Sequence, residues 1–164
     1  MNATLLCPGP SLAKYSPDKR SGWVVGVNRA AILHECDVWA ATDLPLIKHT
    51  MPLGTPTLLT IDATRDSLHR RGKPWPWLVI THTGIAGETV TNKQHPWTRY
   101  TATAALQYLK WIGATRVDVY GADWSGTLDW DGASAGERRT DERWAEERAI
   151  WDSVAVDMDV VRHI

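Results

Sequence analysis

Seven short apolar runs punctuate the chain: ATLLC (3–7), GWVVGVN (22–28), DVWAAT (37–42), TLLTI (57–61), WLVIT (77–81), RVDVYG (116–121) and MDVVRH (158–163). Most are apolar at consecutive rather than alternate positions and rich in β-branched residues, the pattern of strands covered on both faces in a parallel sheet. Segments with helical spacing lie between them: RAAILHE (29–35), YTATAALQYLKWIG (100–113) and TDERWAEERAIWDSVA (140–155). Ala104, Leu106, Leu109 and Ile112 mark the apolar side of the second, and Trp144, Ala145, Ile150 and Trp151 that of the third. Thr140, followed by Asp141 and Glu142, reads as a helix start, and Gly113 as a helix stop.

Alternating strands and helices predict a doubly wound, mainly parallel α/β sheet of Rossmann-like type. The 164 residues suffice for one domain and are too few for two of ordinary size, so the expected organisation is a single domain over 1–164. In such sheets ligands bind beyond the carboxyl ends of the strands, and the loops that follow strands are where chemistry is to be sought.

The first of these loops is the least ordinary. In LLCPGPSLAK (5–14) an apolar run stops at Pro-Gly-Pro-Ser, and Gly9 has no Cβ to obstruct a close approach to the main chain. The amides of residues 11 to 13, with the Ser11 hydroxyl, can cradle a phosphate; a tight turn is the plainer alternative. Asn28, after the second strand, carries donors and an acceptor suited to a base edge or a ribose, and is also a common turn residue. Asp43 and Asp123 each follow a strand, where a carboxylate can accept a sugar hydroxyl, hold a metal or take a proton; either can also cap the next helix. Thr101 and Thr103, at the start of the long helix, suit phosphate binding or capping. In a parallel sheet these groups converge on one edge with the amino end of the helix near residue 101, forming a pocket for a polar, phosphorylated ligand.

Composition narrows the classes. Lys+Arg 18 against Asp+Glu 19 gives a net charge of −1, with no global attraction to nucleic acid or anionic membrane. No stretch approaches a membrane span and MNATLLCPGP has no basic region before its apolar run, so a cytoplasmic protein is expected. Cys7 and Cys36 suggest no disulfide framework. Of the ten tryptophans, Trp23, Trp39, Trp111, Trp144 and Trp151 fall where a large apolar side chain is normally core. The six histidines form no zinc-type spacing; His82, just after WLVIT, is a reserve candidate for a base. RDSLHRRGKPWPW (65–77) clusters Arg65, Arg70, Arg71 and Lys73 with Trp75 and Trp77, either a surface that contacts phosphates and stacks on bases or a solvated loop whose tryptophans pack on the sheet.

GPSL after the first strand, GVNRA after the second, a strand-end Asp, and then TATAALQYLKWIGATRVDVYGADW occur in that order. The combination resembles a Rossmann-like family comprising bacterial CMP-sialic-acid-type sialyltransferases, motility-accessory-factor glycosyltransferases and 6-hydroxymethylpterin pyrophosphokinase-like proteins. The resemblance covers nearly the whole chain. It implies a nucleotide-binding loop at Gly9, Pro10 and Ser11, Asn28 on the nucleotide's sugar or base, Thr101 and Ala102 near the phosphate, and Gly121 and Asp123 closing the site. It also implies departures: Cys7 and Pro8 replace the first Gly and an Asn of the family loop, AGERRTD (135–141) lacks the family's histidine base, and WSGTLDWDG (124–132) lacks its phosphate-holding tyrosines.

The function so implied is an inverting, metal-independent glycosyltransferase using a nucleotide-sugar donor of CMP type. Asp123, Asp129 or Glu137 would stand in for the missing base, Asp43 and Asn28 would join in nucleotide binding, and Arg138 or Arg139 would compensate phosphate charge. Two alternatives stay open: Mg²⁺-dependent pyrophosphoryl transfer using Asp43 and Asp123, with Asp129 or Asp131 as a further ligand, and nucleotide binding without chemistry. Nucleic acid enters as acceptor or partner through 65–77, and small phage-encoded members of the family suggest DNA or a host glycan as acceptor.

Overall fold

The computed structural model describes residues 1–54, 56–70, 79–82, 90–91, 96–97, 100–133 and 139–164. Each of the seven apolar runs contains a strand: β1 (Asn2–Leu6), β2 (Trp23–Val27), β3 (Val38–Ala40), β4 (Thr57–Ile61), β5 (Val79–His82), β8 (Arg116–Tyr120) and β9 (Asp159–His163). They form one sheet in the order β5-β4-β3-β2-β1-β8-β9. Every neighbouring pair is parallel. A small antiparallel pair, β6 (Val90–Thr91) with β7 (Pro96–Trp97), stands apart from it and has no counterpart in the sequence pattern.

The consecutive apolar positions have their physical explanation in two cores, one on each face of the sheet. Leu5, Val25, Val27, Val38, Ala40, Leu59, Val117 and Val119 point to one face and pack with Ala105, Leu106 and Leu109 of α4 (Thr101–Trp111) and Trp151 and Val154 of α5 (Asp141–Ala155). Leu6, Val24, Trp39 and Leu58, one residue out of phase, point to the other. There they meet Leu12 of a 3₁₀ helix (Pro10–Lys14), Ala30 and Ala31 of α1 (Ala30–Leu33), Ile47 of α2 (Leu44–His49) and Leu68 of α3 (Asp62–Arg70). The chain thus winds outward from β1 to β5 with helices on one face, then returns to β8 and β9 with helices on the other. The direction of winding reverses between β1 and β8, which sets their carboxyl ends apart as a crevice.

Some expectations are corrected. The segment RAAILHE is helical only over Ala30–Leu33; the Asp37 amide is already bonded to the Val24 carbonyl at 2.8 Å, drawing the chain back to the sheet. Helices α2 and α3 arise where no apolar periodicity announced them. Trp39 and Trp151 are buried and Trp144 is half-buried, but Trp23 is 45 % and Trp111 50 % exposed. Both stand at the end of an element, Trp23 opening β2 and Trp111 closing α4, where the core no longer covers them. Gly113 (φ 92) does follow the end of α4, and the Thr140 hydroxyl does cap α5 by accepting from the Arg143 amide at 3.3 Å. Among the described residues, no helix is long and apolar enough to cross a membrane.

Candidate functional site

The loop after β1 and the loop after β8 are locked together. The Gly9 amide donates to the Gly121 carbonyl at 3.0 Å, the Ser11 amide to Asp123 Oδ2 at 3.0 Å, and the Gly121 amide to Ser11 Oγ at 3.0 Å. A Cβ on Gly9 would stand 2.5 Å from the Gly121 carbonyl oxygen and closer still to the Asp123 carboxylate. One on Gly121, whose φ is 78°, would overlap the Cys7 carbonyl. The close approach that Gly9 permits is therefore made first by the protein's own Gly-Ala-Asp loop. Ser11 is buried in this lock, with its amide and hydroxyl both engaged, and the Leu12 amide is bonded to the Gly9 carbonyl. The Ser11 and Leu12 amides and the Ser11 hydroxyl are thus spent within the protein, contrary to the expectation that they cradle a phosphate.

The lock forms the floor of a cleft at the switch point. Gly9, Pro10, Asn28, Asp43, Thr101, Ala102, Gly121 and Asp123, all expected at a site from the sequence, line it together. Asn28 has φ 50° and is fixed by its backbone, its amide donating to the Ala40 carbonyl at 2.9 Å and its carbonyl accepting from Trp39 Nε1 at 2.8 Å. Its side-chain Oδ1 is buried with no hydrogen-bond partner, an expensive state that a ligand donor would relieve. Asp43 occupies the N-cap position of α2, yet its exposed carboxylate makes no cap bond and stays available to the cleft. One Asp123 oxygen is held by Ser11; Oδ1 has no partner among the described residues.

Helix α4 opens into the same cleft through Tyr100, Thr101 and Ala102. Neither Thr101 nor Thr103 caps it, and no acidic residue stands in its first turn, so the helix itself supplies no side chain to its orphan amides and positive pole. The Thr101 hydroxyl lies 3.3 Å from that of Thr42, and the Thr103 hydroxyl is buried without a partner.

The far wall comes from Trp124, Arg143, Trp144 and Glu147, which sequence reading did not assign to the site, and from Arg139, which it offered as a compensator of phosphate charge. Arg139 donates to Asp129 Oδ1 at 2.7 Å and lies over the Trp144 ring, 5.5 Å from its centroid. Asp129 is buried and also accepts from Arg29 at 3.3 Å. Arg29 in turn pairs with Asp131. With both oxygens committed to guanidinium groups and no place in the cleft lining, Asp129 holds Arg139 in position, contrary to the expectation of a base there. The Arg143 guanidinium lies 5.3 Å from the centroid of Tyr100, whose hydroxyl donates to Glu146 at 2.6 Å.

Glu147 is 6 % exposed, and burial pushes its carboxyl up to about 7 against the opposing pull of Arg143, Arg139 and the Trp124 side-chain hydrogen bond. Burial also raises the neighbouring Cys7 thiol far above its ordinary range, aided by the charges of Glu147 and Asp123, so it is an inert apolar group. Behind Trp124, Arg162 of β9 stacks at 4.0 Å from the ring centroid and donates to the Ala122 carbonyl at 2.9 Å, bracing the loop. The signal for this wall was available: Arg143, Glu147, Trp151 and Val154 follow helical spacing, and the last three are the buried stripe of α5.

Glu137, Arg138 and residues 71–77 of the basic and aromatic stretch lie outside the described residues, as does the side chain of His82. Among the described residues no group of three or more His, Cys, Asp or Glu converges to hold a metal ion. Compared with family models, with curated proteins and with solved structures, the chain matches none.

Proposed function

We propose that the protein is a nucleotide-sugar-dependent glycosyltransferase of the sialyltransferase-like kind, with a CMP-type donor held in the cleft at the switch point. The observation that carries this reading is the convergence there of an unpartnered Asn28 acceptor, the amino end of α4, two arginines and an Asp123 carboxylate with one free oxygen. Asn28 Oδ1 accepts from an amino or hydroxyl group of the nucleoside, and Asp43 accepts ribose hydroxyls. The first amides of α4 take the phosphate.

In the transfer step an acceptor hydroxyl oxygen bonds to the anomeric carbon while the bond from that carbon to the donor phosphate oxygen breaks. The electron pair leaves on the phosphate, where the helix pole and arginines stabilise it, and the hydroxyl proton passes to Asp123 Oδ1. Asp123 is suited to this because Ser11 fixes its orientation through the other oxygen.

The test is a thermal-shift screen against CMP, UDP, GDP, ADP and their sugar conjugates, with and without Mg²⁺. A metal-independent rise with CMP or a CMP-sugar is expected, followed by release of CMP from the donor. A rise that needs Mg²⁺ and a triphosphate would transfer the assignment to pyrophosphoryl transfer, and CMP binding with no donor turnover to a binding protein.

A further inference from the structure

β9 closes one side of the sheet: β8 pairs with it along one edge, and no described strand lies along the other. Its five residues stay in unbroken register with β8, with no proline, lysine or bulge of the kind that blunts an open edge. The Asp159 amide donates to the Thr115 carbonyl at 2.9 Å. Main-chain groups alternate in direction along a strand, so Asp159, Val161 and His163 bond inward to β8, while the amides and carbonyls of Val160 and Arg162 face outward. The charged side chains of this edge are turned back on their own copy: Asp159 accepts from Arg116 at 2.8 Å, His163 lies 3.1 Å from Asp118, and Arg162 lies over Trp124. The strand is only half-buried from Val160 to His163, and exposed Val156 and Ile164 flank it.

We propose that β9 pairs with β9 of a second copy of this chain, antiparallel about a two-fold axis at Val161, so that the two sheets become one. The sequence Asp-Val-Val-Arg-His is self-complementary in that register. Val160 stands opposite Arg162 of the second copy, both with outward main-chain groups, and the seam closes with hydrogen bonds at each of these pairs. Val161 meets Val161 in a non-hydrogen-bonded pair, where side chains approach most closely. On the same face Asp159 stands opposite His163 of the second copy. At each end of the seam the order Arg116, Asp159, then His163 and Asp118 of the second copy alternates base and acid. Ile164, exposed in the single chain, falls opposite the half-buried Met158. A slip of one residue would set outward main-chain groups against inward ones, and a slip of two would oppose Arg162 to Arg162 or leave His163 without Asp159. The pairing does not rest on the nucleotide reading of the cleft, yet it reaches the cleft's loop, because Arg162 donates to the Ala122 carbonyl.

Sedimentation of the whole chain over a concentration series is expected to show a monomer–dimer equilibrium. Val160→Pro deletes an outward amide and no hydrogen bond of the single sheet, so it should weaken association by about tenfold or more while cooperative melting is kept. Should that variant not melt cooperatively, Asp159→Lys decides: at an exposed position it sets a base against His163 of the second copy, and it should weaken the dimer by a similar factor. Val161→Cys should cross-link two copies, each thiol giving up a proton and an electron to added oxidised glutathione as the disulfide forms, while the wild type, with Cys7 and Cys36 buried, should not. A wild type that stays monomeric at every concentration, a dimer indifferent to both Val160→Pro and Asp159→Lys, or a dimer that Val161→Cys does not cross-link overturns the proposal.

Discussion

The main-chain amide of Ser11 donates to Oδ2 of Asp123 at 3.0 Å, across 112 residues of chain. The carboxylate proposed to take the acceptor's proton is thus also the tether between the two loops that form the floor of the cleft. Its two oxygens serve different ends, and substitutions can separate them.

Asp123→Asn keeps an oxygen for the Ser11 amide and removes the proton acceptor. Donor turnover should fall by about 100-fold or more while the melting temperature changes little. Asp123→Ala loses the tether as well and should cost about 1 to 2 kcal/mol. Steady-state release of CMP and thermal denaturation read the two effects; a destabilised Asn variant with unchanged turnover would sink the assignment.

Gly121 and Gly126 both have positive φ, 78° and 67°, but only Gly121 faces a neighbour, the Cys7 carbonyl, while nothing lies within 4 Å of a Cβ at Gly126. Gly126→Ala should therefore cost about 1 kcal/mol, the conformational term alone. Gly121→Ala adds a main-chain clash and should lose cooperative unfolding or several times that stability, as denaturant titration will show.

Asn28 separates ligand binding from fold in the opposite way. Asn28→Gly accepts φ 50° without strain and deletes the orphaned Oδ1, so the stability of the free protein should hold while CMP affinity drops by about tenfold. Asn28→Ala should lose affinity and about 1 kcal/mol of stability together.

The pH dependence of stability follows from Glu147. Its folded value of about 7 lies above the ordinary 4.5, so between these values the native state binds more protons than the unfolded chain. Stability attributable to this residue is present at the acid end of the window and declines as pH rises through it. Glu147→Gln removes that decline. Its unfolding free energy should match the wild type's near the bottom of the window and exceed it above pH 7, by a gap on the order of 3 kcal/mol, with a melting temperature raised accordingly. Equal pH profiles for the two proteins would contradict a buried, ionising Glu147.

Asp129→Ala should behave as a lesion at a distance from the cleft. It leaves Arg29 and Arg139 without their shared buried carboxylate, at a cost of about 3 kcal/mol, and frees Arg139 from the wall. CMP affinity should fall with it, although Asp129 does not line the cleft.

The inner strands were visible in the sequence because a strand buried on both faces has no polar phase to hide it: Val24 and Val25 point to opposite cores and must both be apolar, whereas half-exposed β9 was read from its Val160-Val161 pair. Helix α3 was not, since most positions of DATRDSLHR are polar and Leu68 is its one large apolar residue. Trp23 and Trp111 show that size and apolarity do not specify depth at the end of an element. Of the cleft, the post-strand residues Asn28, Asp43 and Asp123 were legible because parallel topology sends them to one edge. Ser11 was misread, for a local motif cannot reveal that its hydroxyl and amide are met by residues more than a hundred positions away. The α5 wall was overlooked because ERRTDERWAEER reads as a solvated run, and only the depth of Trp151 and Val154 shows that Glu147, on the same stripe, faces inward.

The central position of β1 has a consequence in time. Its register with β2 joins residues some twenty apart, from Ala3 opposite Trp23 to Leu6 opposite Gly26, whereas its other edge must wait for β8, with Asn2 opposite Arg116 and Leu6 opposite Tyr120. During synthesis the edge of β1 that will meet β8 stays unsatisfied until more than a hundred further residues have emerged, a long closure that makes this pairing the slow event of folding. The cleft floor exists only once that edge closes, and its far wall later still. Ligand binding therefore cannot guide early folding, and a nucleotide that stabilises the protein will act by slowing its unfolding rather than by hastening its assembly.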